Sequence, residues 1–338
     1  MHSTVIRAAA ETRAAPKDAH VIDTIKQRRS VRTFEDEPLR PADLSFVQAQ
    51  TVALGETTGP FGHRVRPDFR VVQGGRSSDG ERIGTYGVIR NAQAFVGVVV
   101  ENQPEAMVDL GYLFEGFILN LTARGLGTCW LGGTFNRKTL SGRVRVNEGE
   151  VLPIITPLGY PGSQAGLQDR FMRRVAGSDR RKPFTELFFA TDFSSPLGPD
   201  GAGDWTEPLE MVRLGPSASN KQPWRVVLTS GAAPAGEGAP APSAPGTPAP
   251  QQAHIYLSRT PGYVGNKLGF DMQRIDIGIA MLHLERAWAA KGRQGSWSFE
   301  EPGLTVPDEH TEFIATFTVD HDHNARAGEA DQTQKGAR

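Results

Sequence analysis

Three segments of the sequence combine side chains that could bind a ligand. The first contains Arg28, Arg29, Ser30 and Arg32, at the end of a predicted helix. Three guanidinium groups and a hydroxyl at this spacing suit a phosphate, whose oxygens an arginine can bind through two parallel hydrogen bonds. The alternative is a basic helix end that is only solvated, and the segment alone leaves both interpretations open.

The second segment, residues 214–224, reads LGPSASNKQPW and precedes a predicted strand. It is a turn rich in small hydroxyl side chains. Asn220 and Gln222 each carry a donor pair and an acceptor, which the edge of a heterocycle with alternating C=O and N–H groups requires. A bland loop is the alternative, although it rarely combines these features.

The third segment, residues 125–133, reads GLGTCWLGG. Its glycines would let a planar ligand approach the backbone N–H groups closely. The alternative is a glycine-capped helix that enters a tight strand. The spacing does not match a dinucleotide-binding fingerprint, because no Gly-x-Gly-x-x-Gly follows a predicted strand.

The hydrophobic pattern predicts helices and strands around these segments. We expect helices over residues 21–28, 41–54, 105–124, 184–189, 207–213 and 275–291, and strands over residues 69–72, 94–100, 128–131, 151–160, 222–228, 254–257 and 313–319. His254 and His283 are expected to be packed or surface histidines, and Cys129 is expected to be an inert core residue.

Composition narrows the class of protein. The 338 residues carry a net charge of −1, which argues against a general nucleic-acid-binding or membrane-surface role. The single cysteine excludes an intramolecular disulfide and a cysteine-based metal site, and we expect no metal. No apolar run reaches the roughly 18 residues that span a bilayer, and residues 1–20 do not resemble a signal peptide. We therefore expect a cytoplasmic protein.

The two longest predicted helices indicate an internal repeat. With an offset of 167 residues, Asp109 aligns with Asp276, Gly111 with Gly278 and Trp130 with Trp297. We therefore expect a fused duplicate, with a first half over residues 21–175 and a second over residues 176–320. Residues 1–20 and 321–338 are expected to be disordered. Residues 231–250, with seven Ala, six Pro and four Gly, are expected to form a flexible insertion.

Four motifs taken together resemble the FMN-dependent nitroreductase family. They are Arg-Arg-Ser-x-Arg-x-Phe at residues 28–34, Gly-Leu-Gly-Thr-x-Trp at 125–130, Gly-Tyr-Pro at 159–161 and Pro-Ser-x-x-Asn-x-Gln-Pro-Trp at 216–224. The last is the most specific. The chain looks like the branch of that family in which one polypeptide imitates the usual homodimer. The resemblance implies an α+β fold of two fused halves, each with a mainly antiparallel sheet flanked by helices.

The resemblance also implies one FMN between the halves. It implies that Arg28, Arg29, Ser30 and Arg32 bind the phosphate and one ring edge, and that Arg181 also binds the phosphate. The backbone of Leu131, Gly132 and Gly133 would lie near the reactive ring nitrogen. The residues over the ring would be Pro216, Ser217, Ser219, Asn220 and Gln222. The implied activity is ping-pong hydride transfer from NAD(P)H to a nitroaromatic or quinone-like acceptor, without a general acid or base from the protein. A monomer is expected, because one chain already supplies both contributions.

Two departures from the family pattern bear on this expectation. The first half has GETTGPFGH at residues 55–63 in place of the serine/asparagine turn, so one site is expected to be retained and its symmetry mate lost. Residues 84–87 stand where the family often has a lysine under the ring, and Tyr86 could cover the ring instead. The alternative function is therefore a degenerate flavin-binding or non-catalytic interaction protein of the same fold.

Overall fold

The computed structural model describes residues 20–73, 76–77, 88–133, 135, 144–162, 180–230, 251–263 and 268–320. Among the described residues, the first half contains the helices α1 (Val21–Gln27), α2 (Pro41–Glu56) and α3 (Pro104–Ala123). Its strands are β1 (Arg66–Gln73), β2 (Arg76–Ser77), β3 (Ala94–Glu101), β4 (Gly127–Thr128) and β5 (Glu150–Gly159).

The second half repeats this plan. Its helices are α4 (Phe184–Leu187), α5 (Thr206–Leu214) and α6 (Met272–Ala290). Its strands are β6 (Phe188–Ala190), β7 (Trp224–Thr229), β8 (Gln252–Ser258), β9 (Gly295–Ser298) and β10 (Thr311–Val319).

Each half builds a five-stranded sheet. The strand orders are β2-β1-β3-β5-β4 and β6-β7-β8-β10-β9, so β1, β3, β5 and β4 occupy the same places as β7, β8, β10 and β9. Among the described strands, all pairings are antiparallel except that of β6 with β7. The predicted α+β fold of two fused halves with mainly antiparallel sheets is confirmed.

Helices α3 and α6 cross at two glycines that are related by the sequence repeat. A Cβ atom at Gly111 would overlap the carbonyl oxygen of Ile275, and one at Gly278 would overlap that of Val108. Gly278 and Ile275 follow Gly111 and Val108 by the same 167 residues, so the contact is reciprocal. Such a crossing requires glycine because the two backbones touch.

The repeat also extends to the strands that follow these helices. Trp130 donates its indole N–H to Glu115 at 2.8 Å, and Trp297 donates its indole N–H to Glu285 at 2.6 Å. After Trp130, Leu131 pairs with Ile155 of β5. After Trp297, Ser298 pairs with Thr316 of β10. Leu131 and Ser298 therefore hold equivalent places, as do the residues that follow them.

The two hydrophobic cores share residues across the seam between the halves. Val108 of α3 belongs to the core under the second sheet, while Phe270, Met272 and Ile275 belong to the core under the first. Helix α3 is long and apolar enough to cross a membrane, but 72% of that apolar stretch is buried inside the protein. Its apolar side chains are therefore accounted for by the packing of a central helix.

Several predicted bounds differ from the structure; the strand expected over residues 128–131, for example, is a strand only at Gly127–Thr128. Two of the differences have a clear physical cause. The helix expected over residues 184–189 ends at Leu187, because Phe188 starts β6 and pairs with Val226 of β7. The strand expected from Gln222 begins at Trp224, since Gln222 has φ 49°, which no strand residue adopts. The predicted insertion at 231–250, the terminal segments and the boundary between residues 175 and 176 lie outside the described residues.

Candidate active site between the two halves

The serine/asparagine turn is a tightly bonded structure in the second half. Ala218–Asn220 form a single 3-10 turn, and Ser219, Asn220 and Gln222 all have positive φ, between 49° and 54°. The N–H of Gln222 donates to Ser217 Oγ at 2.9 Å. Residues other than glycine adopt this backbone conformation rarely and at a cost, so the surrounding contacts must stabilise it.

Those contacts come from the segment that joins the halves. Arg181 donates through Nη1 to Asn220 Oδ1 at 2.7 Å and through Nη2 to the carbonyl of Leu214 at 3.1 Å. The N–H of Lys182 donates to Gln222 Oε1 at 2.8 Å, and Asn220 Nδ2 donates to the carbonyl of Arg180 at 2.7 Å. The side-chain amides that the sequence suggests for a ring edge thus bind the 180–182 segment, and they fix Arg181 beside the turn.

A buried aspartate, Asp276, stabilises the serine/asparagine turn. The N–H of Ala218 donates to Asp276 Oδ1 at 2.9 Å, and Ser219 Oγ lies 3.4 Å from the hydroxyl of Tyr263. Burial raises the pKa of Asp276 well above its ordinary value, and the hydrogen bond from Ala218 opposes this only in part. Pro216 and Ser217 are half-buried, and Ser219 is exposed. The turn therefore presents its serine to solvent.

Residues 131–133 of the first half lie against the start of α6. Leu131 exchanges two backbone hydrogen bonds of 3.0 Å with Ile155. A Cβ atom at Gly132 would lie 2.8 Å from Met272 Sδ, so the missing side chain there makes room for Met272. This is a use of Gly132 that differs from the ligand approach predicted from the sequence. Gly133 is exposed, with its nearest neighbour, Leu268 Cδ1, 4.0 Å from where a Cβ would stand.

Helix α6 therefore brings contributions of both halves together. Met272, in its first turn, contacts Gly132 of the first half, and Asp276, one turn later, binds Ala218 of the second. Ala218 and Trp130 also pack against the same hydrophobic cluster as Met272. The segment 131–133 and the serine/asparagine turn are thus neighbours on one helix end.

The arginines of the basic segment at the end of α1 contact different partners. Arg28 is 7% exposed and its Nε lies 3.7 Å from Glu115 Oε1. Burial lowers the pKa of Arg28, and the nearby Glu115 opposes this. Arg29 donates to the carbonyls of Lys26 and Arg28 at 2.6 and 2.9 Å, so it caps its own helix.

Ser30 and Arg32 continue as an extended chain beside β4. Ser30 pairs with Thr128, and the N–H of Val31 donates to the carbonyl of Thr128 at 2.7 Å. The carbonyl of Arg32 accepts from the N–H of Arg90 at 2.9 Å. Both residues are half-buried. Because Thr128 of β4 precedes Leu131 by three residues, β4 connects Ser30 and Arg32 to the 131–133 segment.

Arg28 also reaches the second half through two buried side chains that the sequence did not single out as functional. Glu115 Oε1 lies 3.0 Å from His283 Nε2, and His283 Nδ1 lies 2.8 Å from the carbonyl of Met211. His283 Nδ1 is 3.7 Å from the place of a Cβ on Gly215, where the turn begins. His283 is a packed histidine, as predicted. Glu115 could have been noticed as a charge on the apolar stripe of α3.

The symmetry-related position is filled by aromatic rings. Asp109 accepts from the N–H groups of Phe61 and His63 at 3.0 and 2.8 Å, so residues 59–63 take the place that the serine/asparagine turn has on Asp276. Phe299, the equivalent of Gly132, packs against Phe61 with 4.1 Å between ring centroids and the ring planes tilted by 32°. The two copies of the composite site therefore differ: one has Ala218 and Gly132 where the other has Phe61 and Phe299 in contact.

Some predicted contributors fall outside the described residues. These are residues 84–87, with Tyr86. Within the described residues, no group of three or more His, Cys, Asp or Glu could hold a metal ion.

Comparison with known proteins agrees with this architecture. Residues 20–288 match the family model described as "Putative TM nitroreductase". The chain belongs to this nitroreductase family. No curated protein matches it.

Among solved structures, a "putative nitroreductase" of Thermotoga maritima MSB8 has a TM-score of 0.52 and 16% identity, over 92% of this chain and 99% of that one. This likeness shows the fold. Two shorter structures match about half of this chain: one from Desulfovibrio desulfuricans, in complex with FMN (TM-score 0.33, 21% identity, 46% of this chain and 90% of that one), and one from Desulfitobacterium hafniense DCB-2, with bound FMN (0.33, 20%, 43% and 90%).

Proposed function

We propose that the protein is an FMN-dependent oxidoreductase that uses NAD(P)H to reduce a nitroaromatic or quinone-like acceptor at one site between its halves. The observation that carries this proposal is that Gly132 and Ala218, which belong to different halves, both contact the first turns of α6. Membership of the nitroreductase family supports the same reaction class.

The residues present fit a flavin phosphate. Arg28 Nε is buried and has no hydrogen-bond partner among the described residues, so a donor remains for an anion. In this proposal the phosphate is held by Arg28, Ser30 and Arg181, and the ring lies between the backbone of 131–133 and the turn with Pro216, Ser217, Ser219 and Asn220. Arg29 and Gln222 then support the site from behind, through bonds to the protein itself. Arg181 and Asn220 also bond to the protein, so in this proposal they fix the turn against the 180–182 segment as well as contacting the flavin.

Bound FMN would supply the hydride chemistry, accepting from NAD(P)H and donating to the acceptor. The protein's part is to bind and orient. Arg32 would place a positive charge near the pyrimidine edge, where it stabilises the negative charge of the reduced ring. The turn over α6 would cover one face and exclude water from it. No side chain is required as a general acid or base.

The same geometry supports one flavin per chain and a monomeric enzyme. The mate of the site is closed by Phe61 and Phe299, and neither half needs a second copy of the chain to complete the open site. NAD(P)H and a small electron acceptor are then the only partners required, and we expect a cytoplasmic enzyme without nucleic-acid or membrane partners.

The test is to purify the protein, measure its flavin absorbance per chain and add NADH or NADPH under nitrogen. We expect a yellow protein with one FMN per chain that bleaches and recovers its colour when a quinone is added. A yellow protein that does not bleach would support flavin binding without turnover, the alternative favoured by the missing lysine at 84–87. A protein that stays colourless with added FMN would overturn the proposal.

A further inference from the structure

Three cationic side chains surround Gln222 at the end of the serine/asparagine turn. The N–H of Lys182 donates to Gln222 Oε1 at 2.8 Å, and Arg225 Nη1 donates to the carbonyl of Gln222 at 3.2 Å. Lys221 directly precedes Gln222, and its Nζ lies 6.0 Å from the centre of the Tyr263 ring. We call Lys182, Lys221 and Arg225 the cationic cluster. All three are half-buried, so each keeps a part of its surface open to a ligand.

The positive charge of the cationic cluster is only partly compensated. Among the described residues, no acidic side chain forms an ion pair with any of its three members. Glu186 and Asp308 act on Arg225 from beyond ion-pair distance, and both are exposed, so solvent weakens their effect. The whole chain carries a net charge of −1, which means that this excess of positive charge is local. A local positive field attracts anionic ligands.

Lys182 gains most from an anion at this place. Burial lowers the pKa of its ammonium group, and the charges of Arg225 and Lys221 lower it further, against the opposing effect of Glu186. Partial desolvation and neighbouring cations thus both make this positive charge costly. An anion bound among the three side chains would offset both effects.

Two more cations border the cationic cluster. The carbonyl of Arg180 accepts from Asn220 Nδ2 at 2.7 Å, and Arg180 is exposed. Arg181 donates to Asn220 Oδ1 at 2.7 Å, and the proposed function assigns it to the phosphate of the flavin. The three members of the cluster have no part in that assignment. A second phosphate group is therefore the ligand that would use them.

The position of the cationic cluster indicates where this second phosphate comes from. In the proposed function the serine/asparagine turn covers one face of the flavin ring, so a molecule that delivers hydride to the ring lies beside the turn. NADH and NADPH share a pyrophosphate and differ in one phosphate monoester on the adenosine ribose. That monoester carries a charge of about −1.5 to −2 at pH 7, and several cationic donors together match such a charge.

We propose that Lys182, Lys221 and Arg225 bind the phosphate monoester that distinguishes NADPH from NADH, so that NADPH is the electron donor of this protein. The inference rests on the proposed function, because it names the donor of that reaction. The two lysines supply ammonium groups, and the Arg225 guanidinium is already oriented by the carbonyls of Gln222 and Trp224.

The first test measures binding without turnover. Calorimetry would titrate the full chain, as purified and after addition of FMN, with adenosine 2′,5′-bisphosphate and with 5′-AMP. The two nucleotides differ only in the 2′-phosphate. We expect the bisphosphate to bind at least about tenfold more tightly, since a charge-assisted hydrogen bond contributes about 1.5–3 kcal/mol. The preference should decrease as salt is added.

The second test removes one charge at a time. Lys182→Gln and Lys221→Gln should each weaken binding of the bisphosphate by roughly tenfold and binding of 5′-AMP by less than about twofold. The matched control is Lys291→Gln at the end of α6, whose Nζ lies 5.7 Å from the centre of the Trp288 ring, much as Lys221 lies over Tyr263. This control should bind both nucleotides as the unaltered chain does.

Reduction of the bound flavin gives an independent measurement. Stopped-flow bleaching under nitrogen should show a higher kcat/KM for NADPH than for NADH in the unaltered chain and in Lys291→Gln. In the two cluster variants the ratio should fall toward one through a rise in the KM for NADPH, while kcat stays close to that of the unaltered chain. A fall in kcat with both donors would instead indicate a general defect of the site and would contradict the inference.

Equal affinity of the unaltered chain for the two nucleotides would overturn the inference, whatever the variants do. So would weaker binding of FMN relative to riboflavin in the cluster variants with unchanged binding of the bisphosphate, because the cations would then hold the phosphate of the flavin itself. A chain that takes up no flavin would instead refute the proposed function. The nucleotide titration of the purified chain can still be read in that case, so the two failures are distinguishable.

Discussion

Gly111 and Gly278 lie in contact with each other's helices, each facing a main-chain carbonyl of the opposite helix where any Cβ atom would overlap it. This reciprocal contact sets the distance between α3 and α6, and α6 carries the contacts that bring 131–133 and the serine/asparagine turn together. The geometry of the site therefore depends on two residues without side chains.

The first prediction concerns this crossing. Gly278→Ala should destabilise the protein by roughly 3 kcal/mol, because the added methyl group meets backbone rather than a movable side chain. Thermal unfolding would measure the change. Gly116→Ala is the matched control on α3, since its Cβ would have its nearest neighbour, Leu282 Cδ2, at 3.7 Å. That control should be neutral or more stable by up to about 1 kcal/mol. Equal destabilisation by both would contradict the role of the crossing.

A second prediction concerns pH. Burial raises the pKa of Asp109 to about 6, although two backbone N–H groups and His63 favour the ionised form. An acid whose folded pKa lies above its unfolded value of about 4 is easier to ionise when the chain unfolds. The stability that this group contributes is therefore complete below pH 4 and falls as pH rises toward 6, by about 3 kcal/mol in total.

Chemical denaturation of the unaltered chain and of Asp109→Asn at pH 4 and pH 7 would isolate this effect. The variant should be less stable at pH 4, since an amide cannot accept both N–H bonds, and the difference between the two proteins should shrink at pH 7. A constant difference at both pH values would show that Asp109 does not titrate in this window.

A third prediction concerns the closed mate of the site. Phe61→Ala should cost roughly 2 kcal/mol of stability, because it removes a half-buried ring and its contact with Phe299. The flavin content should remain one per chain, since the second half lacks the arginine segment of the first. Absorbance per chain after saturation with FMN would check this. A second equivalent of FMN would mean that the aromatic pair alone excludes it.

The fourth prediction concerns Arg32. Arg32→Ala should weaken FMN binding and slow reduction by NAD(P)H, as the variant loses a positive charge beside the ring edge. Arg66→Ala is the control, because Arg66 in β1 bonds Glu150 and the carbonyl of Arg145, which have no place in the proposed site. Flavin titration and stopped-flow bleaching would separate binding from reduction. Unchanged values in Arg32→Ala would refute the assignment.

The sequence predicted most of the architecture because strong local patterns encode it. The apolar run at β3, the apolar stripe of α3 and the repeat of Asp109 in Asp276 needed no knowledge of distant contacts. The helix expected through Phe188 was wrong because a pairing with β7 decides that residue's conformation, and such pairings are not visible locally.

The candidate site could be predicted only in part for the same reason. The motif residues could be identified by type, but the partners of Asn220 and Gln222 could not, since both bind the segment around Arg181 about 40 residues earlier. The pair of Glu115 and His283 joins positions 168 residues apart. The chemical type of a side chain can be read from the sequence, whereas its contacts depend on the complete fold.

The exchange of core residues between the halves has a consequence for how the chain matures. When the ribosome has released the first sheet, the core beneath it still lacks Phe270, Met272 and Ile275, which are synthesised more than a hundred residues later. The apolar surface of the first half therefore stays exposed until α6 is synthesised. Nascent chains with exposed apolar surface are prone to aggregate or to bind chaperones. Because the two copies are fused, the missing core residues come from the same chain, and no separate partner chain has to bind.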